Sequence, residues 1–350
     1  MKRIIVLFVI SIFCYQCGQQ SIDIVYEGRI STDANEYLAT TILNESFLFC
    51  GPRDLMILDS LLVIHDSYKQ VECFHIFRKN DGMHIRSFGR KGRGPGEFKD
   101  ISSVNNNYDG TITVYDPNYK KIVKFDILNV LQDRKPYFTE YTVLKAPNFI
   151  TQTLLYKNNF IVKGNDNKLR YGFWDSSNEI FHAIYSDYPH LSNDDEDNWA
   201  LTDYGAKVRL SPDGKMLVAT TYIGGILELF NVNDNGFKLK TSCFFFEPKY
   251  EYAQGAKPRW ITTSSESIIG FEDLYLTNKA IYGLAWGVEI PMMENSKPRL
   301  YCFDFDGNPV KSYVMEESLE SVAVDNDGII YGVGCDSVGQ YKLCKYIPSK

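Results

Sequence analysis

The sequence repeats one short pattern six times: an apolar stretch, a small polar turn and a second apolar stretch. The turns contain Asp-Gly, Asn-Asn or similar pairs, which accept the backbone angles of tight β-hairpins. They recur at intervals of 50, 49, 55, 65 and 49 residues, taken at Ser60, Gly110, Asn159, Gly214, Lys279 and Gly328. A period near 50 residues matches one four-stranded blade, so the pattern predicts an all-β, six-bladed β-propeller.

Most of the six units continue with further strand signals. A third apolar stretch ends in an aromatic residue followed by Asp or Asn, as in Lys121–Phe125 and Ile226–Phe230. A second polar turn and a fourth stretch then complete the unit, as in Val310–Met315. The 24 Tyr and 22 Phe residues favour pleated, half-buried surfaces. No α-helical periodicity of useful length accompanies them.

The two ends of the chain predict how the ring closes. The sixth unit has three strand signals, the last at Gln340–Ile347, and lacks a fourth. The segment Ile22–Ile30 has strand character and belongs to no unit. We therefore predict that Ile22–Ile30 pairs with Gln340–Ile347 as the outer strand of the last blade, where it covers an exposed sheet edge.

The first 17 residues are typical of an export signal. Lys2 and Arg3 precede the apolar run Ile4–Phe13, which is too short to span a membrane. We interpret residues 1–17 as a lipoprotein signal peptide with Cys17 as the lipidated residue. Residues 18–21 are then a tether, and residues 22–350 are the propeller. A plain secretory signal that is cleaved nearby is the alternative. The lipoprotein interpretation places the mature chain in the bacterial cell envelope, anchored by its lipid at the periplasmic face of the outer membrane or at the cell surface.

Charge and cysteine content exclude some classes of protein. The formal net charge of −7 argues against nucleic acid as a partner, because that affinity depends on clustered Lys and Arg. The six cysteines beyond the leader have no metal-ligand spacing, and we interpret them mainly as buried apolar residues. A bridge between Cys335 and Cys344 is the alternative. We predict no metal site and no cofactor from these patterns.

One blade carries a more specific motif. The stretch Arg86–Phe98, followed by Thr111–Asp116 and Lys121–Asp126, resembles an NHL-type repeat. The chain as a whole resembles the TolB-like six-bladed propeller lipoproteins of Bacteroidota from about Tyr26 onward. This resemblance implies the fold and the envelope location, and it implies little about chemistry.

Two polar segments are candidate ion-binding sites. The glycine-rich loop Gly89–Gly96 contains Arg90, Lys91 and Arg93, and it is a weak anion-binding candidate. It lacks the Gly-Lys-Ser/Thr ending of a P-loop, so we interpret it mainly as a link between two blades. The acidic run 193–198 lacks the ligand order of a calcium loop, and we interpret it as a solvated loop.

Two long insertions, Glu247–Ser267 and Trp286–Arg299, contain the best candidates for partner binding. Aromatic residues and Arg are favoured at the centres of protein interfaces. The candidate residues are Tyr250, Tyr252, Arg259, Trp260 and Trp286. We therefore predict a non-enzymatic binding or scaffold module whose unknown partner is a protein, peptide or glycan.

A metal-dependent hydrolase or lactonase with its site in the propeller channel is the alternative function. It requires several carboxylates and amides that converge on a divalent ion near the channel mouth. The scattered Asp and Asn residues leave this alternative open. No catalytic residues are assigned, and we consider an enzyme the less favoured class.

Overall fold

The computed structural model describes residues 26–32, 35–68, 71–142, 150–166, 169–175, 177–178, 180–186, 207–249, 251–252, 261–336 and 338–349. Within these ranges the chain forms six sheets that are arranged as the blades of a propeller. The predicted all-β, six-bladed fold is confirmed.

The strands are numbered along the chain, and two of them precede the first blade: β1 (Asn35–Leu38) and β2 (Thr41–Asn44). Blade 1 consists of β3 (Pro52–Leu58), β4 (Leu61–Asp66), β5 (Glu72–Arg78) and β6 (His84–Arg90). Blade 2 consists of β7 (Ser103–Asn106), β8 (Thr111–Asp116), β9 (Lys121–Asp126) and β10 (Phe138–Thr142). Blade 3 consists of β11 (Ile150–Tyr156), β12 (Asn159–Asp166), β13 (Leu169–Asp175) and β14 (Ile180–Tyr185).

Blade 4 consists of β15 (Lys207–Leu210), β16 (Met216–Thr220), β17 (Gly225–Asn233) and β18 (Gly236–Phe246). A short hairpin follows, formed by β19 (Glu251–Tyr252) and β20 (Ile261–Thr262). Blade 5 consists of β21 (Ile268–Leu276), β22 (Ile281–Glu289), β23 (Arg299–Phe303) and β24 (Pro309–Met315). Blade 6 contains β25 (Ser318–Val324), β26 (Ile330–Cys335) and β27 (Tyr341–Tyr346).

The first strand of each blade lines a central channel. The inner strands contact one another in the order β3, β7, β11, β15, β21 and β25, and β25 contacts β3 again. Blades 1 and 4 therefore face each other across the channel, as do blades 2 and 5. We call the end where the inner strands begin the upper end. The inner hairpin turns lie at the lower end, among them the predicted turns at Gly110 and Gly328, whose positive φ angles are 85° and 83°.

The hydrophobic core lies between neighbouring sheets. Phe74 of blade 1 and Phe125 of blade 2 are fully buried against each other, with ring centroids 6.1 Å apart. Leu62 of blade 1, Leu284 of blade 5 and Val322 of blade 6 belong to another continuous cluster. Each strand therefore presents apolar residues to both faces of its sheet, which explains the nearly continuous apolar stretches in the sequence.

Residues 26–32 and 35–44 form a strap along the outer edges of three blades. The Glu27 and Gly28 amides donate to the carbonyls of Phe244 and Phe245 on β18 of blade 4. The strap continues as β1, which pairs in parallel with β24 of blade 5. It ends as β2, which pairs antiparallel with β27 and supplies the outer strand of blade 6.

The prediction that Ile22–Ile30 forms the outer strand of blade 6 was wrong. Residues 22–25 lie outside the described residues, and residues 26–30 lie against blade 4, whereas the strand beside Tyr341–Tyr346 is Thr41–Asn44. Strand character alone does not decide which edge a segment covers. The position of a segment along the strap decides which blade it joins. β2 directly precedes β3 of blade 1, and blade 6 is next to blade 1 in the ring, so β2 joins blade 6.

Blade 2 contains an element that the sequence analysis did not find. Helix α1 (Ile127–Leu131) lies between β9 and β10, and the Asp126 side chain accepts a hydrogen bond from the Asn129 amide at its start. The buried side chains of Ile127 and Val130 hold the helix on the core between blades 1 and 2. In the part of the chain that the structure describes, no helix is long and apolar enough to cross a membrane.

The six cysteines beyond the leader, all of them among the described residues, form no disulfide bond. Cys73, Cys302 and Cys344 are buried inside strands, as predicted from the sequence. Cys344 is opposite Gly332 in the β26–β27 register, and Cys335 is opposite Tyr341. The two cysteines of the alternative bridge therefore occupy different positions along this hairpin and are not bonded to each other.

Candidate functional site

Polar side chains from the inner strands meet inside the channel. Lys207 and Arg209 come from β15 of blade 4, and Asp54 comes from β3 of blade 1 on the opposite side. Asn105 is on β7, and Asp273 is on β21. Because side chains at i and i+2 of a strand point to the same side, both cations of blade 4 point into the channel.

Arg209 connects three blades. Its Nη2 donates to Asp54 Oδ1 at 3.0 Å, and its Nη1 donates to Asn105 Oδ1 at 3.1 Å. The Asn105 amide in turn donates to the Thr153 carbonyl of blade 3 at 2.7 Å. The guanidinium therefore joins blade 4 to blades 1 and 2, and through Asn105 to blade 3.

Lys207 binds the second carboxylate of the channel. Its Nζ donates to Asp273 Oδ1 at 2.8 Å, and it lies 3.9 Å from Asp54 Oδ1. The other Asp273 oxygen accepts hydrogen bonds from Ser321 Oγ at 3.0 Å and from the Val322 amide at 2.8 Å. Two cations and two carboxylates thus form one network across the ring.

The network controls the charge of Asp54. Burial alone would raise the pKa of this carboxyl, but Lys207, the hydrogen bond from His65 and Arg209 outweigh burial and lower it. His65 Nδ1 lies 3.1 Å from Asp54 Oδ2. Asp54 is therefore a carboxylate at neutral pH, and its charge is compensated inside the protein.

This arrangement differs from the one that a channel hydrolase requires. The carboxylates of Asp54 and Asp273 bind lysine and arginine side chains, which leaves them poorly placed to hold a divalent ion. Among the described residues, no group of three or more His, Cys, Asp or Glu side chains has the geometry of a metal site. The acidic run 193–198 lies outside the described residues.

The upper mouth of the channel combines tryptophan with two glutamates. Trp286 on β22 donates its indole N–H to Glu272 Oε2 on β21 at 3.3 Å. Tyr341 donates to Glu320 Oε1 on β25 at 3.0 Å. Burial raises the pKa of Glu272 and of Glu320 above the usual value of a glutamate. Protonation of both carboxyls is therefore easier here than on an open surface.

Both long insertions reach this upper mouth. Ser267, at the end of the first insertion, accepts a hydrogen bond from the amide of Ile290, which begins a 3₁₀ helix (Ile290–Asn295) in the second. The Ser267 hydroxyl donates to the Lys249 carbonyl at 2.6 Å. The two insertions are therefore bonded to each other at the upper end of blade 5, where the bond continues the β21–β22 ladder four residues beyond Trp286.

The structure describes two of the five predicted partner-binding residues, Trp286 and Tyr252. Trp286 is half-buried at the upper mouth, next to Glu272. Tyr252 belongs to the β19–β20 hairpin in the first insertion. Tyr250, Arg259 and Trp260 lie outside the described residues. The structure therefore places Trp286 at the upper mouth, and partner binding by all five residues stays a prediction.

The glycine-rich loop connects β6 of blade 1 to β7 of blade 2. The Gly94 amide donates to Glu97 Oε2 at 2.7 Å, and the Gly96 amide donates to Glu140 Oε1 at 2.5 Å. Two backbone groups that could hold an anion therefore bind the protein's own carboxylates.

The three cations of this loop have different surroundings. Arg90 lies 3.6 Å from Glu72 Oε1, and Lys91 donates to the Ser67 carbonyl at 3.0 Å. Arg93 is exposed. Anion binding by these three residues stays a prediction.

The lower mouth carries a feature that the sequence analysis missed. Tyr108, in the inner hairpin turn of blade 2, donates its hydroxyl to the Leu276 carbonyl of blade 5 at 3.3 Å. Its side chain therefore crosses the channel between opposite blades. The available signal was the turn itself, Asn106-Asn107-Tyr108-Asp109-Gly110, which is longer than most of the other turns and places an aromatic residue at its tip.

Comparisons with known proteins agree with the six-bladed architecture. A family model described as TolB-like 6-blade propeller-like matches residues 33–327. A crystal structure from Bacteroides fragilis, of a protein described as exported, is similar with a TM-score of 0.53 and 13% identity, covering 91% of this chain and 99% of that chain. A member of the duf4221 family from Bacteroides vulgatus is similar with a TM-score of 0.55 and 11% identity, covering 91% and 98%. Such low identities show the fold alone. No match is found among curated proteins.

Proposed function

Since this chain belongs to the TolB-like six-bladed propeller family, we propose that it is a non-catalytic binding module of the bacterial cell envelope. Its partner is a protein, a peptide or an envelope glycan, and it is contacted at the upper end of the channel. A lipid on Cys17 tethers the module to a membrane. The predicted export agrees with the description of the similar Bacteroides fragilis protein as exported.

One observation carries the proposal for the binding surface. Two insertions that the blade pattern does not need are bonded to each other at the upper end of blade 5, and Trp286 lies on the strand that leads into the second insertion. Met292 in the second insertion exposes 57% of its surface. Tryptophan supplies much of the binding energy at interfaces, and flexible methionine side chains adapt to varied partners.

The chemistry of the channel favours binding over catalysis. A hydrolytic centre needs a carboxylate that is free to act as a base or to hold a metal ion. Asp54 and Asp273 instead accept hydrogen bonds from Arg209 and Lys207. Glu272 likewise accepts a hydrogen bond, from the indole N–H of Trp286.

Photo-crosslinking from the full-length chain in cell envelopes tests the binding surface. A photo-reactive aromatic amino acid at position 286 should capture one discrete partner, and so should one at Met292. The same amino acid at Leu239, which is exposed on the outer strand of blade 4, is the matched control. Equal capture from positions 239 and 286, or no capture from 286, would contradict the proposed surface.

The tether is tested separately. Cys17→Ser should move the chain from the membrane fraction to the aqueous fraction and should remove incorporation of labelled fatty acid. Cys14→Ser is the matched control, because it changes a neighbouring cysteine and leaves Cys17 in place. Retention of the label in the Cys17→Ser variant would show that the lipid is attached to another residue.

A further inference from the structure

Two adjoining cavities open at the lower end of the propeller, away from Trp286. The larger has a volume of about 860 Å³ and lies among the turns of blades 1, 2, 4, 5 and 6. The smaller has a volume of about 620 Å³ and lies among the turns of blades 2, 3 and 4. Tyr108 lines both cavities and lies where they adjoin. Both volumes are in the range of ligand-binding pockets.

The larger cavity has an apolar side. Leu128 on α1 exposes 59% of its surface there, beside Leu131 of the same helix. Ile57 and Leu61 of blade 1 continue this side, and both are half-buried. An aliphatic surface of this kind gains free energy when an apolar side chain covers it.

The rim of the larger cavity is acidic. Asp59, Asp213 and Asp327 are exposed and line it. Lys79 is the cation among the described lining residues, and it is bound to the fourth lining aspartate, Asp325, at 3.2 Å. Asp213 also has Lys215 3.6 Å away, so the remaining negative charge of the rim comes from Asp59 and Asp327.

The smaller cavity is closer to neutral. Its Lys157 is paired with Asp234, and its Lys215 lies 3.6 Å from Asp213. The attraction for a positive charge is therefore concentrated in the larger cavity. Because of this difference, a bound molecule that has a basic part should place that part over the larger cavity.

From this geometry we infer that the lower cavities bind an extended peptide segment that carries lysine or arginine next to aliphatic residues. The basic side chain lies between Asp59 and Asp327, and the aliphatic neighbour covers Leu128. Tyr108 supports the peptide backbone between the two cavities. This site goes beyond the proposed function, because it is at the opposite end of the channel from the surface proposed there.

Other classes of occupant fit the surface less well. A sugar is recognised largely by stacking on aromatic rings, and Tyr108 is the exposed aromatic among the described residues that line the larger cavity. An anionic membrane surface is repelled by the aspartates of the rim. A second copy of this chain carries a net charge of −7 and is repelled as well.

Fluorescence anisotropy with the full-length chain in detergent tests the inference. The probe is a short labelled peptide in which lysine and leucine alternate with glycine, and the control peptide has glutamate in place of lysine. We expect the lysine peptide to bind at least about tenfold more tightly than the control, and added salt to weaken its binding. Equal affinities for the two peptides would overturn the inference.

Matched variants locate the binding. Asp59→Asn combined with Asp327→Asn should weaken binding of the lysine peptide by about tenfold, because it removes two rim charges. Asparagine also tolerates the positive φ of 54° at position 59. The control Glu45→Gln combined with Glu294→Gln changes the net charge equally at exposed positions away from the cavity and should leave the affinity within about twofold. Equal weakening by both pairs would show nonspecific attraction and overturn the inference.

Two further variants separate this site from the upper surface. Leu128→Ser should weaken the lysine peptide by about threefold, because it removes an exposed apolar contact without disturbing the core. Trp286→Ala should leave peptide binding unchanged. Loss of peptide binding in Trp286→Ala with retention in Leu128→Ser would place the peptide at the upper end and overturn the inference.

Discussion

Arg209 of blade 4 donates a hydrogen bond to Asp54 of blade 1, directly across the channel, with Nη2 and Oδ1 3.0 Å apart. Both side chains are mostly covered, with 16% and 14% of their surface exposed. A buried charge is costly unless it is paired, so each residue depends on the other for its stability. The pair connects the two halves of the ring.

Removal of Arg209 should destabilise the propeller. We expect Arg209→Met to lower the free energy of unfolding by about 3 kcal/mol, because Asp54 keeps a buried charge with weaker compensation. The control Arg78→Met removes an exposed pair with Asp81 and should change it by at most about 0.5 kcal/mol. Urea denaturation measures both variants. Coinciding curves for the two would contradict the structural role of the cross-ring pair.

The ion pair between the strap and blade 5 should depend on pH. Burial opposes ionisation of Glu36, but Lys311 and Ser349 outweigh it and lower the pKa from 4.5 to about 2. A lowered folded-state pKa contributes stability above the unfolded pKa, and this contribution is lost as the pH falls through the folded value.

Glu36→Gln should therefore be less stable than the original chain by about 1 kcal/mol above pH 4.5, and the difference should vanish near pH 2. Unfolding free energies measured between these pH values give the difference directly. Lys311→Met should reduce this pH dependence without abolishing it, because it removes the partner at 2.5 Å and leaves the two hydrogen bonds from Ser349. A difference that stays constant down to pH 2 would show that Glu36 acts through something other than its charge.

Adjacent residues of β1 should respond differently to truncation. Leu38 is buried in the core of blades 5, 6 and 1, whereas Tyr37 exposes 65% of its surface. We expect Leu38→Ala to lower the free energy of unfolding by about 3 kcal/mol, because it leaves a cavity. Tyr37→Ala should change it by at most about 0.5 kcal/mol. Thermal denaturation compares the two, and similar losses for both would mean that the strap does not seal the core.

Gly270 should tolerate no side chain, for steric reasons. A Cβ at this position would lie 1.6 Å from the Gly224 carbonyl oxygen, because β21 approaches a turn of blade 4 closely. We expect Gly270→Ala to cost about 3 kcal/mol of stability. Gly328→Ala meets no atom within 4 Å and should cost about 1 kcal/mol, from its φ of 83° alone. Chemical denaturation should rank them in this order, and the reverse order would show that the junction of blades 4 and 5 can adjust.

The blades could be predicted from the sequence, because strand alternation and turn chemistry are local properties. The turn predicted at Gly214 joins β15 to β16, and the turns at Gly214 and Gly328 have the positive φ angles that glycine allows. The hydrogen bonds of a meander join neighbouring segments of chain. Such neighbours can be recognised from a sequence without knowing how the blades are arranged.

Only the tertiary structure decided which residues meet across the ring. Asp54 and Arg209 are 155 residues apart, and their contact requires six blades and the observed offset of two inner strands. Tyr108 meets Leu276 for the same reason, over a separation of 168 residues. The position of Thr41–Asn44 in blade 6 depends on how far the strap extends from blade 4. These relationships follow from the geometry of a closed ring, which brings distant segments together. A local pattern in the sequence describes only neighbouring residues and contains no information about that geometry.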